Sequence, residues 1–530
     1  MRIDKVFIHH FKNLKDFEID LDQSEMNTIL LGQNATGKSN FIEALILIFK
    51  YLDLGKKPPK NDFFEYQISY QCRGKKIFAK LDSQGYHFDV DGEKVSQTAF
   101  FNNKDYLPKY VFTYYSGLSN RLHQIFWEHQ NLFYNKIIKK DFDPNSIDSL
   151  RRLFYVQQTH SYFVLLAFYA FAQEPQKTRD FLKKLFHIVD LESILFVLKK
   201  PDWAKADKRF WGAEGLVKQF LEKLWKHSFV PLSDQESVKI TYRKSEARER
   251  LYLYISDKET FQTMVSDYFN TLNIAHSHTS LFKALESTYI SEILEEVRVK
   301  VKKEIDGEII FKELSEGEQQ LLTVLGLLKF TNDEESLIIL DEPDTHLNPL
   351  WKWAYLELLN KVLNTGSENK TTQILLNTHD PLVIGSLERQ QVRIFKRDKD
   401  TGKIYTEEPD IDPKGLGVAG ILTSELFGLP TTLDRDTQAK LYKKRILQGK
   451  SIRKVILPEE QEEYLQLKNE LDKLGFYEEV EDTFFKQYLA ELSKYEFENP
   501  IDFSESQQQE FETISSSIID QIRKQMDTNK

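Results

Sequence analysis

The chain of 530 residues is 41% hydrophobic, 29% charged and 13% aromatic, with a formal net charge of −10; this is enough apolar material for a sizeable core spread over domains of ~100–200 residues each. No apolar run approaches roughly 18 residues, and the opening Met1-Arg2-Ile3-Asp4 lacks a signal-peptide core, so neither a membrane span nor secretion is expected. The lone cysteine, Cys72, excludes an internal disulfide and a cysteine zinc site and fits a reducing cytoplasm, while the acidic balance excludes a uniformly basic nucleic-acid binder and leaves a local basic groove open.

In the first 31 residues, apolar positions alternate at Ile3, Val6 and Ile8 and again at Phe17, Ile19 and Leu21. They then run together in Thr28-Ile29-Leu30-Leu31, which predicts two strands followed by a buried one. Residues 41–54 are apolar on nearly every side and predict a helix inside the domain. Short alternating runs with Gly74, Gly85 and Gly92 at turns predict an antiparallel sheet over 65–95. From 121 to about 230, aromatics such as Phe126, Trp127, Phe163 and Trp225 recur at helical spacing, which predicts a helical core more than a base-stacking surface. Two strand-like runs, 238–242 and Leu251–Ile255, come before further helices. Between 297 and 410 the runs Ile309-Ile310-Phe311, Leu337-Ile338-Ile339-Leu340, Ile374-Leu375-Leu376 and Val392-Arg393-Ile394-Phe395 alternate with helices, the pattern of a parallel α/β sheet. Beyond about 415 the chain is helical, with Tyr464, Leu467, Leu471 and Leu474 on one face and Phe484, Phe485, Tyr488, Leu489 and Leu492 in a second amphipathic run.

Gly32-Gln33-Asn34-Ala35-Thr36-Gly37-Lys38-Ser39 satisfies G-x-x-x-x-G-K-S/T between a buried strand and a helix. The glycines let backbone N–H groups wrap a phosphate at a helix N-terminus, where partial positive charge collects. Gly32, Asn34, Ala35, Thr36, Gly37, Lys38, Ser39 and Asn40 form the expected nucleotide-binding set, with Lys38 on the β and γ phosphates and Ser39 on Mg2+. The strand Leu337-Ile338-Ile339-Leu340 ends in Asp341-Glu342-Pro343, and the carboxyl edge of a sheet is where α/β folds place ligand chemistry. Asp341 is expected in the magnesium shell, directly or through water. Glu342 is expected to accept the proton of an attacking water. Leu314-Ser315-Glu316-Gly317-Glu318 precedes a long apolar helix; Ser315 and Glu318 fit a capping box, which is compatible with phosphate binding at the same helix end. Asn377-Thr378-His379-Asp380-Pro381 follows the strand Ile374-Leu375-Leu376, with Asp380 and Pro381 suited to the N-cap and first helical positions.

In this order, with about 275 residues between the phosphate loop and Ser315, the four elements resemble the ABC-type ATPase heads of the SMC, Rad50, RecF and OLD group. The resemblance implies an α/β fold in which 1–120 and 297–410 form an ABC-type P-loop head with an N-terminal antiparallel β part. A mainly helical insertion would occupy 121–296, and a helical C-terminal region at 411–530 would serve assembly or partner docking. It further implies a homodimer or higher homo-oligomer in which Ser315 and Gly317 of one subunit close over the nucleotide held at Lys38 of another. His379 would contact the γ-phosphate as a switch histidine, completing a catalytic group of Glu342, His379 and Lys38. Asp344 with His346-Leu347-Asn348-Pro349 would form the loop crossing between subunits. The inserted region holds no sustained heptad register for a long coiled coil. The glutamine that links magnesium to the inserted domain in this group stays unassigned among Gln67, Gln71 and Gln124. L-S-E-G-E also departs from the L-S-G-G-Q usual in transporter ATPases.

Tyr114-Tyr115-Ser116-Gly117, in the setting Val111-Phe112-Thr113, and the stretch from Gly417-Val418-Ala419-Gly420 to Phe427-Gly428-Leu429 are similar to the PtuA-type ATPases of Septu and related retron anti-phage systems. That resemblance implies ATP and Mg2+ as cofactors and slow hydrolysis of ATP to ADP and phosphate. It implies a separate HNH nuclease subunit as partner, nucleic acid or a retron ribonucleoprotein as a further one, and no membrane. The alternatives are a RecF- or Rad50-like DNA-repair ATPase that binds DNA directly, and a nucleotide-sensing scaffold with negligible turnover. Asp434-Arg435-Asp436 reads as a helix N-cap region in place of the Asp-x-Asp pair of a Toprim nuclease, so no nuclease is expected within the chain.

Overall fold

The computed structural model describes residues 1–21, 26–117, 121–139, 152–171, 176–204, 209–239, 245–304, 307–331, 335–363, 371–476, 483–495 and 505–528. The chain divides into two compact units, Met1–Val418 and Ala419–Lys530.

The first unit is built on three sheets. Alternating apolar positions fold the N-terminal region into a six-stranded antiparallel sheet, in the order Leu14–Asp20, Arg2–Phe11, Tyr66–Cys72, Lys75–Asp82, Gly85–Val90 and Glu93–Val95. The helix Lys38–Leu54 shares one core with the inner face of this sheet and with Leu30, Leu337, Ile339 and Leu375 of the central sheet. Burial from both directions is why its sequence shows no polar face.

The central sheet has seven strands, in the order Ile404–Glu407, Val392–Arg397, Asn27–Gly32, Thr372–Asn377, Ser336–Asp341, Tyr110–Tyr115 and Leu153–Val156. All neighbours pair in parallel except the edge pair Val392–Arg397 and Ile404–Glu407. Ser336–Asp341 and Thr372–Asn377 are buried at every position, as strands covered on both faces must be, so their central residues, Leu337–Leu340 and Ile374–Leu376, read as unbroken apolar runs. In the register of this sheet Asp341 is level with Asn377 on one side and Tyr115 on the other, and Gly32 is level with Phe395. The chemistry-bearing residues therefore emerge together at the carboxyl edge.

The third sheet is antiparallel, in the order Leu232–Lys239, Ser245–Ile255, Ile188–Lys199, Leu294–Lys303 and Gly307–Ile310. It revises the sequence reading at two places. The span 121–296 holds helices as expected and the two strands foreseen near 238–242 and at Leu251–Ile255, but it also supplies Ile188–Lys199 of this sheet and Leu153–Val156 at the edge of the central sheet. Ile188, Val189, Ile194 and Val197 are β-branched residues suited to a pleated surface, and a four-residue apolar run such as Leu153–Val156 cannot be assigned by periodicity alone. Ile309-Ile310-Phe311 is not a strand of the parallel sheet. Gly307–Ile310 returns as a hairpin on Leu294–Lys303, and Phe311 opens a 3-10 turn; a short connection permits only antiparallel pairing. Of the expected run 238–242, residues 240–242 lie outside the described residues, whereas Leu251–Ile255 belongs to Ser245–Ile255.

The first unit ends later than the expected boundary at 411: Lys414 N still donates to Leu387 O. In the second unit, Arg435–Ile452, Pro458–Lys473, Thr483–Leu492 and Glu505–Thr528 are helices. Leu492, Ile518 and Ile522 form its small core with Ile446, Phe484, Tyr488, Phe511 and Ile514 around them. Gly449 allows close helix contact, because a Cβ there would lie 2.1 Å from the Leu489 carbonyl oxygen. Of the expected face on Pro458–Lys473, Leu471 is buried while Leu474 just beyond it is 58% exposed. Asp434 caps its helix by accepting from Thr437 N at 2.9 Å, the cap read from the sequence. Among the described residues no helix is long and apolar enough to cross a membrane.

Candidate nucleotide-binding site

The phosphate loop joins Asn27–Gly32 to Lys38–Leu54 through three residues with positive φ, Gly32 at 139°, Ala35 at 65° and Gly37 at 93°. Gly37 is the N-cap and offers no side-chain cap, so the first-turn N–H groups stay available to an anion. Neighbouring side chains brace the loop. Thr36 Oγ1 donates to Gln33 O at 2.7 Å, and Arg397 Nη2 and Asn13 Nδ2 donate to Ala35 O at 2.9 and 3.2 Å. Asn40, expected in the binding set, donates to Asn13 Oδ1 at 2.6 Å and so belongs to this brace. Lys38 Nζ folds back on the loop, donating to Gly32 O at 2.7 Å and Gln33 O at 3.1 Å. Burial pushes its pKa down to about 8, against the opposing pull of Asp341 and Glu342.

Asp341 is fully buried at the end of its strand. Asn377 Nδ2 donates to its Oδ1 at 2.5 Å, and the Ser39 hydroxyl interacts with the same carboxylate. Burial raises the Asp341 pKa, with Asn377 and Arg121 acting in the opposite sense. The other oxygen, Oδ2, is buried with no hydrogen-bond partner. A buried carboxylate with one open oxygen next to a hydroxyl fits a hard divalent cation that takes oxygen ligands and completes its shell with substrate phosphates and water. Mg2+ therefore fits the residues at this position.

Glu342 takes φ 53°, a conformation that side chains seldom adopt. Its N–H is held by Asn377 O at 2.9 Å, and its Oε1 stands 3.5 Å from His379 Nε2. The turn thus separates two adjacent carboxylates, Asp341 buried against Asn377 and Glu342 toward His379 in more solvated surroundings. Burial lowers the His379 pKa, and Lys38 lowers it further against Asp341; a neutral imidazole beside the phosphate loop is the result at neutral pH. Asp380 caps the helix after it, accepting from Leu382 N at 2.9 Å.

Ser315 and Gly317 sit in a different set of contacts. The capping box forms: Ser315 N donates to Glu318 Oε2 at 2.8 Å and Glu318 N to Ser315 Oγ at 3.2 Å, with Lys303 Nζ on Glu318 Oε1 at 3.0 Å. Gly317 packs on the His346 segment, where a Cβ would lie 2.5 Å from His346 O. Asp344 accepts from Thr378 Oγ1 at 3.0 Å, and burial raises its pKa to about 6. The site therefore brings together Lys38, Ser39, Asp341, Glu342 and His379 within one subunit, whereas Ser315 and Gly317 are anchored to Glu318 and His346.

Sequence reasoning missed Arg121, whose Nη2 is 3.7 Å from Asp341 Oδ2, and gave Asn377 no role on Asp341. The signal for Arg121 was a basic residue shortly after the Tyr114–Gly117 stretch, whose strand lies beside that of Asp341. Of the three candidate glutamines, Gln67 and Gln71 are on Tyr66–Cys72 of the antiparallel sheet, and Gln124 is exposed on the helix Arg121–Ile137.

Residues 28–385 match the family model described as "AAA domain, putative AbiEii toxin, Type IV TA system". The chain is 26% identical over 275 residues to the Septu protein PtuA of Bacillus mycoides (strain KBAB4), a match covering 48% of this chain and 36% of that one. This chain thus spans little more than a third of that relative's length. It is 19% identical over 436 residues to "Retron Ec83 probable ATPase" of Escherichia coli, covering 75% and 72% of the two chains. Among solved structures it is similar to the SMC head domain from Thermotoga maritima, at 13% identity and a TM-score of 0.32, over 78% of this chain and 100% of that one.

Proposed function

The chain belongs to that AAA-domain ATPase family, and from this premise we propose that it binds ATP with Mg2+ at the phosphate loop and hydrolyses it slowly, as the ATPase subunit of an anti-phage defence complex that regulates a separate HNH nuclease. One observation carries the chemical part: Lys38, Ser39, Asp341, Glu342 and His379 meet at the carboxyl edge of one parallel sheet, although up to 341 residues separate them in the chain.

In this reading, the phosphates of ATP replace Gly32 O and Gln33 O as partners of Lys38 Nζ, and the first-turn N–H groups of Lys38–Leu54 hold them in place. Ser39 and Asp341 hold Mg2+, which when bound offsets the charge of the phosphates. Glu342 orients a water and takes its proton, and its turn conformation keeps it apart from Asp341. His379, neutral and 3.5 Å from Glu342, donates toward the γ-phosphate. Slow turnover is consistent with Ser315 and Gly317 being held by Glu318 and His346: completion of the site then depends on a second subunit that presents them, giving a homodimer or larger homo-oligomer. Resemblance to Septu and retron ATPases supports the defence setting, the nuclease partner, and nucleic acid or a retron ribonucleoprotein as the further contact. The unit Ala419–Lys530 is the proposed assembly or docking element.

The test is ATP hydrolysis by the whole chain with and without Mg2+, beside Lys38→Ala. We expect Mg2+-dependent turnover in the wild type and loss of nucleotide binding in the variant, because the triphosphate loses its main cation. Hydrolysis at the wild-type rate by Lys38→Ala would remove the loop from the mechanism.

A further inference from the structure

The strand Tyr110–Tyr115 runs beside Ser336–Asp341, and the chain leaving it passes the buried carboxylate: Ser116 N donates to Asp341 O at 3.3 Å, and Arg121 opens the next helix. We propose that Arg121 is a built-in counter-ion for Asp341, holding the carboxylate's charge until Mg2+ arrives and being displaced by it. This rests on Asp341 being the magnesium carboxylate.

The geometry separates this role from that of a permanent structural ion pair. Arg121 Nη2 lies 3.7 Å from Oδ2, near enough for Coulombic compensation of a fully buried charge yet beyond hydrogen-bond distance, and Oδ2 receives no hydrogen bond. A structural guanidinium would be expected to fork onto both oxygens at 2.7–2.9 Å, the usual range for such pairs. Here Oδ1 is taken by Asn377, and the lone pairs of Oδ2 stay open. The guanidinium has a contact that does not depend on Asp341, standing 5.6 Å from the centroid of the Tyr115 ring, and its side chain is 34% exposed.

What yields is the side chain, because the helix behind it is fixed. Leu122 and Phe126 are fully buried, His129 Nε2 is 3.1 Å from Asp53 Oδ2, and Lys50 Nζ is 3.4 Å from Glu128 Oε2. Asp53 and Lys50 both lie on Lys38–Leu54, the helix that carries the phosphate loop. Exchange of Arg121 for Mg2+ therefore leaves the frame intact and keeps a cation beside Asp341 in both states. Without such a counter-ion, the buried carboxylate of the metal-free protein would depend on Lys38, Asn377 and Ser39 alone, and removing one partner of a buried charge is destabilising. The cost is competition, so Mg2+ binds more weakly than the bare site would allow.

The test uses the full chain saturated with a fluorescent ADP analogue and titrated with Mg2+, and repeats the titration with Mn2+ read by electron paramagnetic resonance. Arg121→Gln should lower the half-saturating metal concentration about tenfold, the order expected for losing a competing charge at this distance in a partly screened site. Arg121→Lys, which keeps the charge, should stay near the wild type. Thermal melts supply the second readout: Arg121→Gln should melt lower than the wild type in EDTA and match it at saturating Mg2+. An unchanged or raised metal requirement in Arg121→Gln overturns the proposal, as does a melting deficit that persists in Mg2+, which would mark Arg121 as structural. Wild-type protein that binds the analogue with no response to Mg2+ would instead remove Asp341 from the metal site, and this inference with it.

Discussion

Gly32→Ala should be among the most damaging single-methyl changes in the first unit. A Cβ at this position would lie 2.5 Å from Phe395 O and 3.1 Å from both Phe395 Cβ and Thr36 Oγ1, on a backbone whose φ of 139° side chains rarely adopt. Phe395 has no room to retreat: it is level with Gly32 in the sheet, its ring stacks on Phe17 at 5.4 Å, and it meets Phe41 at 6.0 Å. Backbone strain of about 1–3 kcal/mol and overpacking of about 1–3 kcal/mol sum to ~2–6 kcal/mol, a large part of a typical domain's stability. Gly402→Ala is the matched control, because Gly402 also has positive φ, 68°, but nothing within 4 Å of the new methyl; it should cost about 1 kcal/mol. Differential scanning fluorimetry of the two variants isolates the Phe395 contact, and binding of a fluorescent ATP analogue reports the loop itself. If Gly32→Ala matched Gly402→Ala in both melting temperature and nucleotide affinity, the close approach of Phe395 to the loop would be refuted.

Glu342→Gln should keep ATP binding while turnover falls by roughly 10²–10⁴-fold, the scale for loss of a general base; an unchanged steady-state rate would place the base elsewhere. Asp344 is held at about 6, chiefly by burial, with Asp380 adding to the shift and Thr378 and Lys352 opposing it. Its folded pKa is above the unfolded value, so its stabilising contribution is complete below about pH 4 and is lost as pH rises through about 6. Asp344→Asn should therefore gain on the order of 2 kcal/mol relative to the wild type between pH 4 and pH 7.5, read from denaturant midpoints at the two pH values; a pH-independent difference would contradict the buried carboxyl. A chain ending at Val418 should stay folded and bind nucleotide, since Ala419–Lys530 is compact with a core of its own, while light scattering should show loss of the wild-type assembly. Full retention of assembly would exclude the second unit as the docking element.

What the sequence by itself determined is whatever depends on neighbours a few positions away. The phosphate loop needs glycines at fixed offsets, the helix caps need Ser315 three residues from Glu318 and Asp434 three from Thr437, and the centre of a strand covered on both faces must be apolar, as Ile374-Leu375-Leu376 is. Each is a short-range steric or hydrogen-bonding requirement, so it leaves a local trace. The order of strands leaves none. That Tyr110–Tyr115 lies beside Ser336–Asp341, bringing Arg121 to an aspartate 220 positions away, follows from which faces pack and how crossovers close, as does the pairing of Asn377 with Asp341. Leu153–Val156 shows the same limit from the other side, because four apolar residues acquire a strand's identity only from the sheet edge they complete. Arg121 and Asn377 have ordinary sequence surroundings; only the tertiary structure, by placing both against a buried carboxylate where an uncompensated charge is costly, gave them a role.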